Sequence, residues 1–351
     1  MASINEGDVI EGIFTIALAL YIANGKIEKN KLNEIRTKID PAMFSTGRVK
    51  HTVAKNIKRN KKNRPPDFFT VNIEMLLKTS SVSEAYGKQY QVLYKKSKDV
   101  GNIDQKITQL IKQAAGSQFT KKIDDAINTF LDNNFGEVVT FTVIADGIAG
   151  ESSGGDVKGD VTLVVYGVKK GSKQKVTEIT IPFSLKSGSV TVANLSPYKG
   201  MVSIAKALKI KWDGDKKYVR LSEPFKGTEE QKQKFKMIAK MYNELKTNII
   251  KQSKTSSSFT KDALQFLEKS IFGSDLADVV DVTDKGIKEI TKQYFDLLKK
   301  RTKLKVEAKA NNLIFIDIAS NSVIFQIRTK LREDANEAKF YLEVGKGVYA
   351  K

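Results

Sequence analysis

The chain has 351 residues, enough for one large domain or two ordinary ones around a sizeable core. Sixty Lys and Arg face forty Asp and Glu, a formal net charge of +20, with no Cys and a single His. That composition excludes disulfides, thiolate metal sites and Cys nucleophiles, and any triad, multi-His zinc site or His-based nuclease centre would have to use His51 alone.

His51 sits in a basic stretch far from any nucleophile-like motif. Catalysis would therefore rest on carboxylates, Lys, Ser/Thr or Tyr, most simply with a hard cation such as Mg²⁺ or Mn²⁺. The positive balance attracts polyanions, with nucleic acid the first expectation and anionic membrane the second. The start of the chain is acidic and the apolar run at 13–23 is too short to span a bilayer, so no signal peptide or membrane span is expected. The expected location is cytoplasmic, and the Lys- and Asn-rich usage suggests a bacterium or phage.

Residues 3–23 read as a helix with capping-box spacing at Ser3 and Glu6 and an apolar stripe of Ile10, Phe14, Ala17 and Tyr21. A second helix is expected near 29–39, ended by Pro41. Residues 48–66 change character. Eight of the first seventeen, Arg48, Lys50, Lys55, Lys58, Arg59, Lys61, Lys62 and Arg64, are basic and none is acidic. The stretch reads either as a solvated linker or as a phosphate-binding arm. Helical patterns are expected over 70–96 and 102–133.

The apolar period then changes to two. Strands are expected over 137–147, 159–171, 175–188 and 189–195, joined as an antiparallel meander, with a Gly/Ser-rich loop at 147–159. Helices follow at 198–210, 228–252, 259–272 and 284–301. Strands return at 304–310, 313–319, 322–331 and 338–345. The fold class is α+β (mixed α/β), built on a central mixed sheet flanked by helices. The expected organisation is N-terminal helices of the core over 1–47, a basic and helical insertion over 48–135, and a sheet-containing core over 136–351 that carries the helices of 198–302.

Asp160 opens one strand of the meander, and Ser184-Leu185-Lys186 closes the next. Ser184 and Lys186 share a strand face, and a hairpin of these lengths brings the start of one strand beside the end of the other. A carboxylate can hold a metal that polarises a phosphodiester, and a nearby Lys can stabilise charge on the phosphate.

This spacing resembles the PD-(D/E)xK, restriction-endonuclease-like nuclease superfamily. Asp160 matches its first motif and Lys186 its lysine, while Ser184 stands where the second carboxylate is usual. The resemblance implies a Mg²⁺-dependent DNA endonuclease with Asp160 on the metal and Lys186 assisting the attacking water. Asp156 and Glu151 are candidates for the missing acid. Glu6 and Glu11 are candidates for the helical Glu that such proteins carry beside the metal, although Glu6 already has a capping role. Segments 324–330 and 340–345 resemble the end segments of such enzymes. There Gln326 and Arg328 share a face and could contact base edges or phosphate, or simply belong to a half-exposed strand. A two-fold dimer would suit a palindromic target. The alternative reading is a nucleic-acid-binding or virion protein on a degenerate nuclease fold.

Overall fold

The computed structural model describes residues 6–39, 47–59, 67–76, 121, 123–125, 137–146, 160–169, 175–186, 191–195, 197–212, 228–273, 277–283, 286–332 and 337–349. The chain divides into two compact units, residues 1–188 with 274–289, and residues 189–273 with 290–351. The fold is α+β, as the sequence implies.

The first unit holds a seven-stranded mixed sheet in the order β1-β2-β3-β4-β5-β7-β8. Its strands are β1 (Arg48–Arg59), β2 (Asp67–Leu76), β3 (Glu137–Asp146), β4 (Val161–Lys169), β5 (Lys175–Lys186), β7 (Asp278–Thr283) and β8 (Gly286–Ile290). β3, β4 and β5 form the expected antiparallel meander. β2 runs parallel to β3, and β7 runs parallel to β5.

Helix α1 (Glu6–Asn24) packs against β1, β2, β3 and β5. Its residues from Ile13 to Leu20 are almost wholly buried, more than the single stripe the sequence suggested. The one hydroxyl among them, on Thr15, is satisfied by donating to the Glu11 carbonyl at 2.8 Å. The helix stops at Gly25, which takes a positive φ of 70° and whose N–H donates to the Tyr21 carbonyl. Helix α2 (Lys29–Lys38) adds Leu32 and Ile35 to the same core.

Against α1 lies the inner face of the sheet: Val71, Ile73 and Met75 of β2, Phe141 and Val143 of β3, Val161, Leu163 and Val165 of β4, and Phe183 and Leu185 of β5. Phe14 meets Phe183 edge to face with centroids 6.4 Å apart.

Three sequence expectations change here. Residues 48–59 are a strand paired antiparallel with β2, not an arm, and the segment from 70 begins as strand rather than helix. Both belong to the main sheet, so 48–135 is not simply an insertion. The physical reason is a period-two pattern. Val71, Ile73 and Met75 alternate into the core, and Val49 does the same opposite Met75. The strand expected at 189–195 does not extend the meander, because β7 takes the free edge of β5.

The second unit carries a five-stranded antiparallel sheet, β6-β12-β11-β10-β9. These strands are β6 (Thr191–Leu195), β9 (Leu304–Lys309), β10 (Asn312–Asp317), β11 (Val323–Arg332) and β12 (Glu337–Val344). The helices are α3 (Pro197–Ala207), α4 (Thr228–Thr255), α5 (Phe259–Phe272) and α6 (Lys292–Arg301). The core stacks Phe259 on Phe315 and Phe315 on Phe325, while Tyr242 meets Phe340 edge to face. Buried Tyr242 donates its hydroxyl to the Asn311 carbonyl at 2.8 Å.

Residues 136–351 are therefore not one core. The span 284–301 is also not one helix: β8 ends at Ile290, and Thr291 caps α6 by accepting from the Tyr294 N–H at 3.2 Å. Among the described residues no helix is long and apolar enough to cross a membrane.

Phe183 fills the middle of the first core and sits next to Ser184. Replacing it with Ala should lower the unfolding free energy by about 3–5 kcal/mol in denaturant melts, the cost of an aromatic cavity. A loss below about 1 kcal/mol would contradict this packing.

Candidate functional site

The pairing of Val161 with Phe183 continues one step further, as the Asp160 N–H donates to the Phe183 carbonyl at 2.8 Å. Asp160 is thereby held opposite Ser184. Since Phe183 and Leu185 point into the α1 core, alternation sends Ser184 and Lys186 to the other face.

Four groups converge there. Asp160 Oδ2 accepts from the Leu185 N–H at 2.7 Å, from Ser184 Oγ at 3.1 Å and from Lys186 Nζ at 3.3 Å. Lys186 Nζ also donates to Ser184 Oγ at 2.8 Å and to the Leu185 carbonyl at 3.0 Å. An ammonium has three protons, so these acceptors use its full donor capacity. Ser184 is 1% exposed, whereas the side chains of Asp160 and Lys186 remain partly open to solvent. The result is a neutralised pair tied to the backbone at Leu185, with a buried hydroxyl as the link between carboxylate and ammonium.

The donor set can be tested against a divalent cation. Asp160 and the Leu185 carbonyl are hard oxygen donors, and Mg²⁺ commonly takes one or two carboxylates and completes its shell with water and phosphate oxygens. Asp160 alone meets that minimum. Among the described residues no group of three or more His, Asp or Glu is arranged to hold a metal.

The other sequence candidates fall as follows. Asp156 and Glu151 lie outside the described residues. Glu6 opens α1, but the position of its side chain is also outside them. Glu11 lies on α1, which packs on the sheet face opposite Ser184 and Lys186.

Arg48 and Lys50 stand on β1 and pair with Glu74 at 3.0 and 3.5 Å. Lys55 is exposed on the same strand. Lys58 and Arg59 belong to β1 with their side chains outside the described set, and Lys61, Lys62 and Arg64 are outside it entirely. His51 also lies on β1, where burial first and the Lys38 charge second push its imidazole below the ordinary value.

Gln326 and Arg328 do share a face of β11, but in the second unit, and both are held by Glu343. Gln326 donates to one carboxylate oxygen at 2.7 Å and Arg328 to the other at 2.6 Å. Arg328 also lies over the Tyr341 ring at 4.4 Å.

Sequence reasoning missed Asp281. It is 2% exposed on β7, in register with Lys186 across the parallel β5–β7 pair. Paired positions on neighbouring strands place their side chains on one sheet face, so Asp281 shares the face of Ser184 and Lys186. The β-branched residues Val279, Val280, Val282 and Thr283 around it were the available signal for a strand. Compared with family models, curated proteins and solved structures, the chain matches none.

Ser184→Ala removes the hydroxyl that serves both charged groups. It should cost about 1–3 kcal/mol of stability in a denaturant melt, because a buried hydrogen-bonding network loses its link. An unchanged midpoint would contradict the bridging role.

Proposed function

We propose that the protein is a restriction-like DNA endonuclease that hydrolyses phosphodiester bonds with the help of Mg²⁺ or Mn²⁺. The observation that carries this reading is the convergence of Asp160, Ser184, the Leu185 backbone and Lys186 at the meeting of two strand ends. The chain's +20 charge supports a polyanionic substrate.

In this reading Asp160 and the Leu185 carbonyl would hold the cation. A bound cation supplies Lewis-acid polarisation of the phosphodiester. The chain's own residues perform the rest. The Leu185 N–H and Ser184 Oγ fix one carboxylate oxygen of Asp160, which leaves the other oxygen as its free ligand position. The Lys186 ammonium is held by Ser184 Oγ and the Leu185 carbonyl. Its longest bond, 3.3 Å to Asp160, is the one to yield to a phosphate oxygen, where the ammonium stabilises charge that grows as water adds to phosphorus. Ser184 also fixes the direction of Lys186.

A second reading has its own support. Ser184 is neutral, buried, and bonded to both charged partners, so the Asp160–Lys186 pair is self-sufficient as it stands. That suits a nucleic-acid-binding or virion protein which keeps the frame without the reaction.

The two readings separate with Lys186→Ala. Under the nuclease reading the variant loses plasmid cleavage by about 100-fold or more while keeping most of its DNA affinity. Undiminished cleavage would remove the site. Absence of cleavage in the unaltered protein as well, with binding that weakens steeply as salt rises, would select the second reading.

A further inference from the structure

The second unit holds a cavity of about 830 Å³ between α5, α6 and the β9 and β10 strand ends. Volumes of roughly 300–1,000 Å³ are typical of sites that enclose small organic ligands. Leu264 and Leu304 form its apolar floor, and Ile318 stands at its lip, 57% exposed. The lining also carries Lys261, Lys299, Lys300 and Lys303 against one carboxylate, Asp296. Lys299 is engaged, with Glu268 at 2.7 Å and Asp296 at 3.1 Å. Asp296 is further held by Lys292. Lys261, Lys300 and Lys303 are exposed, and among the described residues no carboxylate pairs with them.

The split of chemistry says that the cavity is more than a gap between helices, with an aliphatic floor, a cationic rim and an exposed amide on Gln265.

We propose that this cavity binds a single nucleotide unit with a terminal phosphate, its base against Leu264, Leu304 and Ile318 and its phosphate on Lys261, Lys300 and Lys303. Flat base faces bury well on aliphatic surface. Gln265 offers a donor and an acceptor to a base edge, and lysines recognise a phosphate as point charges. Asp296 does not oppose the anion, because Lys292 and Lys299 already neutralise it. The proposal goes beyond the nuclease reading and does not use Asp160, Ser184 or Lys186.

Isothermal titration in EDTA tests it, with thymidine 5′-monophosphate, thymidine and inorganic phosphate as separate probes. The monophosphate should bind, and both fragments should bind about tenfold more weakly or not at all. Lys300→Glu/Lys303→Glu and Ile318→Glu change exposed residues only. Each should weaken the monophosphate about tenfold or more while leaving the thermal midpoint unchanged. Asp160→Ala should bind it like the unaltered protein. No binding of the monophosphate, equal binding of inorganic phosphate, or loss of binding only in Asp160→Ala would overturn the proposal. None of these results depends on whether the protein cleaves DNA.

Discussion

The register of β4 against β5 is the constraint on which the site depends. Val161 faces Phe183, and the Asp160 N–H extends the ladder by one more bond. A slip of one residue would turn Ser184 and Lys186 into the α1 core and Phe183 out of it. The hydrophobic set on the inner face therefore enforces the polar set on the outer one. Phe183 and Leu185 are buried against α1, and the residues that alternate with them have to point the other way. The chemistry at the strand ends is placed by packing beneath it.

The same sheet explains how a charged pair is held around a buried hydroxyl. Ser184 is buried, yet each of its polar neighbours has a named partner. Asp160 uses the backbone N–H of Leu185 as well as two side chains, and Lys186 uses the Leu185 carbonyl. Asp281 adds a buried carboxylate one strand away, in register with Lys186. β7 reaches that position only after the chain has passed through the second unit, between residues 189 and 273. The first unit is thus completed by a segment remote in sequence, and the last strand beside the site is the one that the local pattern advertised least.

Much of this was legible in the sequence. The β3–β5 meander, the strands after 304 and the helices at 197–207, 228–255 and 259–272 follow directly from period and turn residues. So does the meeting of Asp160 with Lys186, since hairpin lengths dictate which strand ends are neighbours. β1 was obscured because eight basic residues in 48–64 suggested solvent, although Val49 still alternates inward. The lysines and arginines of a strand can occupy its outer face, and Arg48 and Lys50 do so against Glu74. The role of Glu343 was hidden for another reason. Gln326 and Arg328 look available within their own strand, and only the β11–β12 register brings the carboxylate that binds both. Pairing between strands is a tertiary fact that a single strand's pattern does not contain.

The central claim is that the Asp160 cluster hydrolyses DNA. Its most direct test incubates the unaltered protein and Asp160→Ala with supercoiled plasmid, in Mg²⁺, in Mn²⁺ and in EDTA. Cleavage by the unaltered protein alone, and only with a divalent cation, is the predicted result. Equal cleavage by Asp160→Ala, or cleavage that survives EDTA, would contradict it.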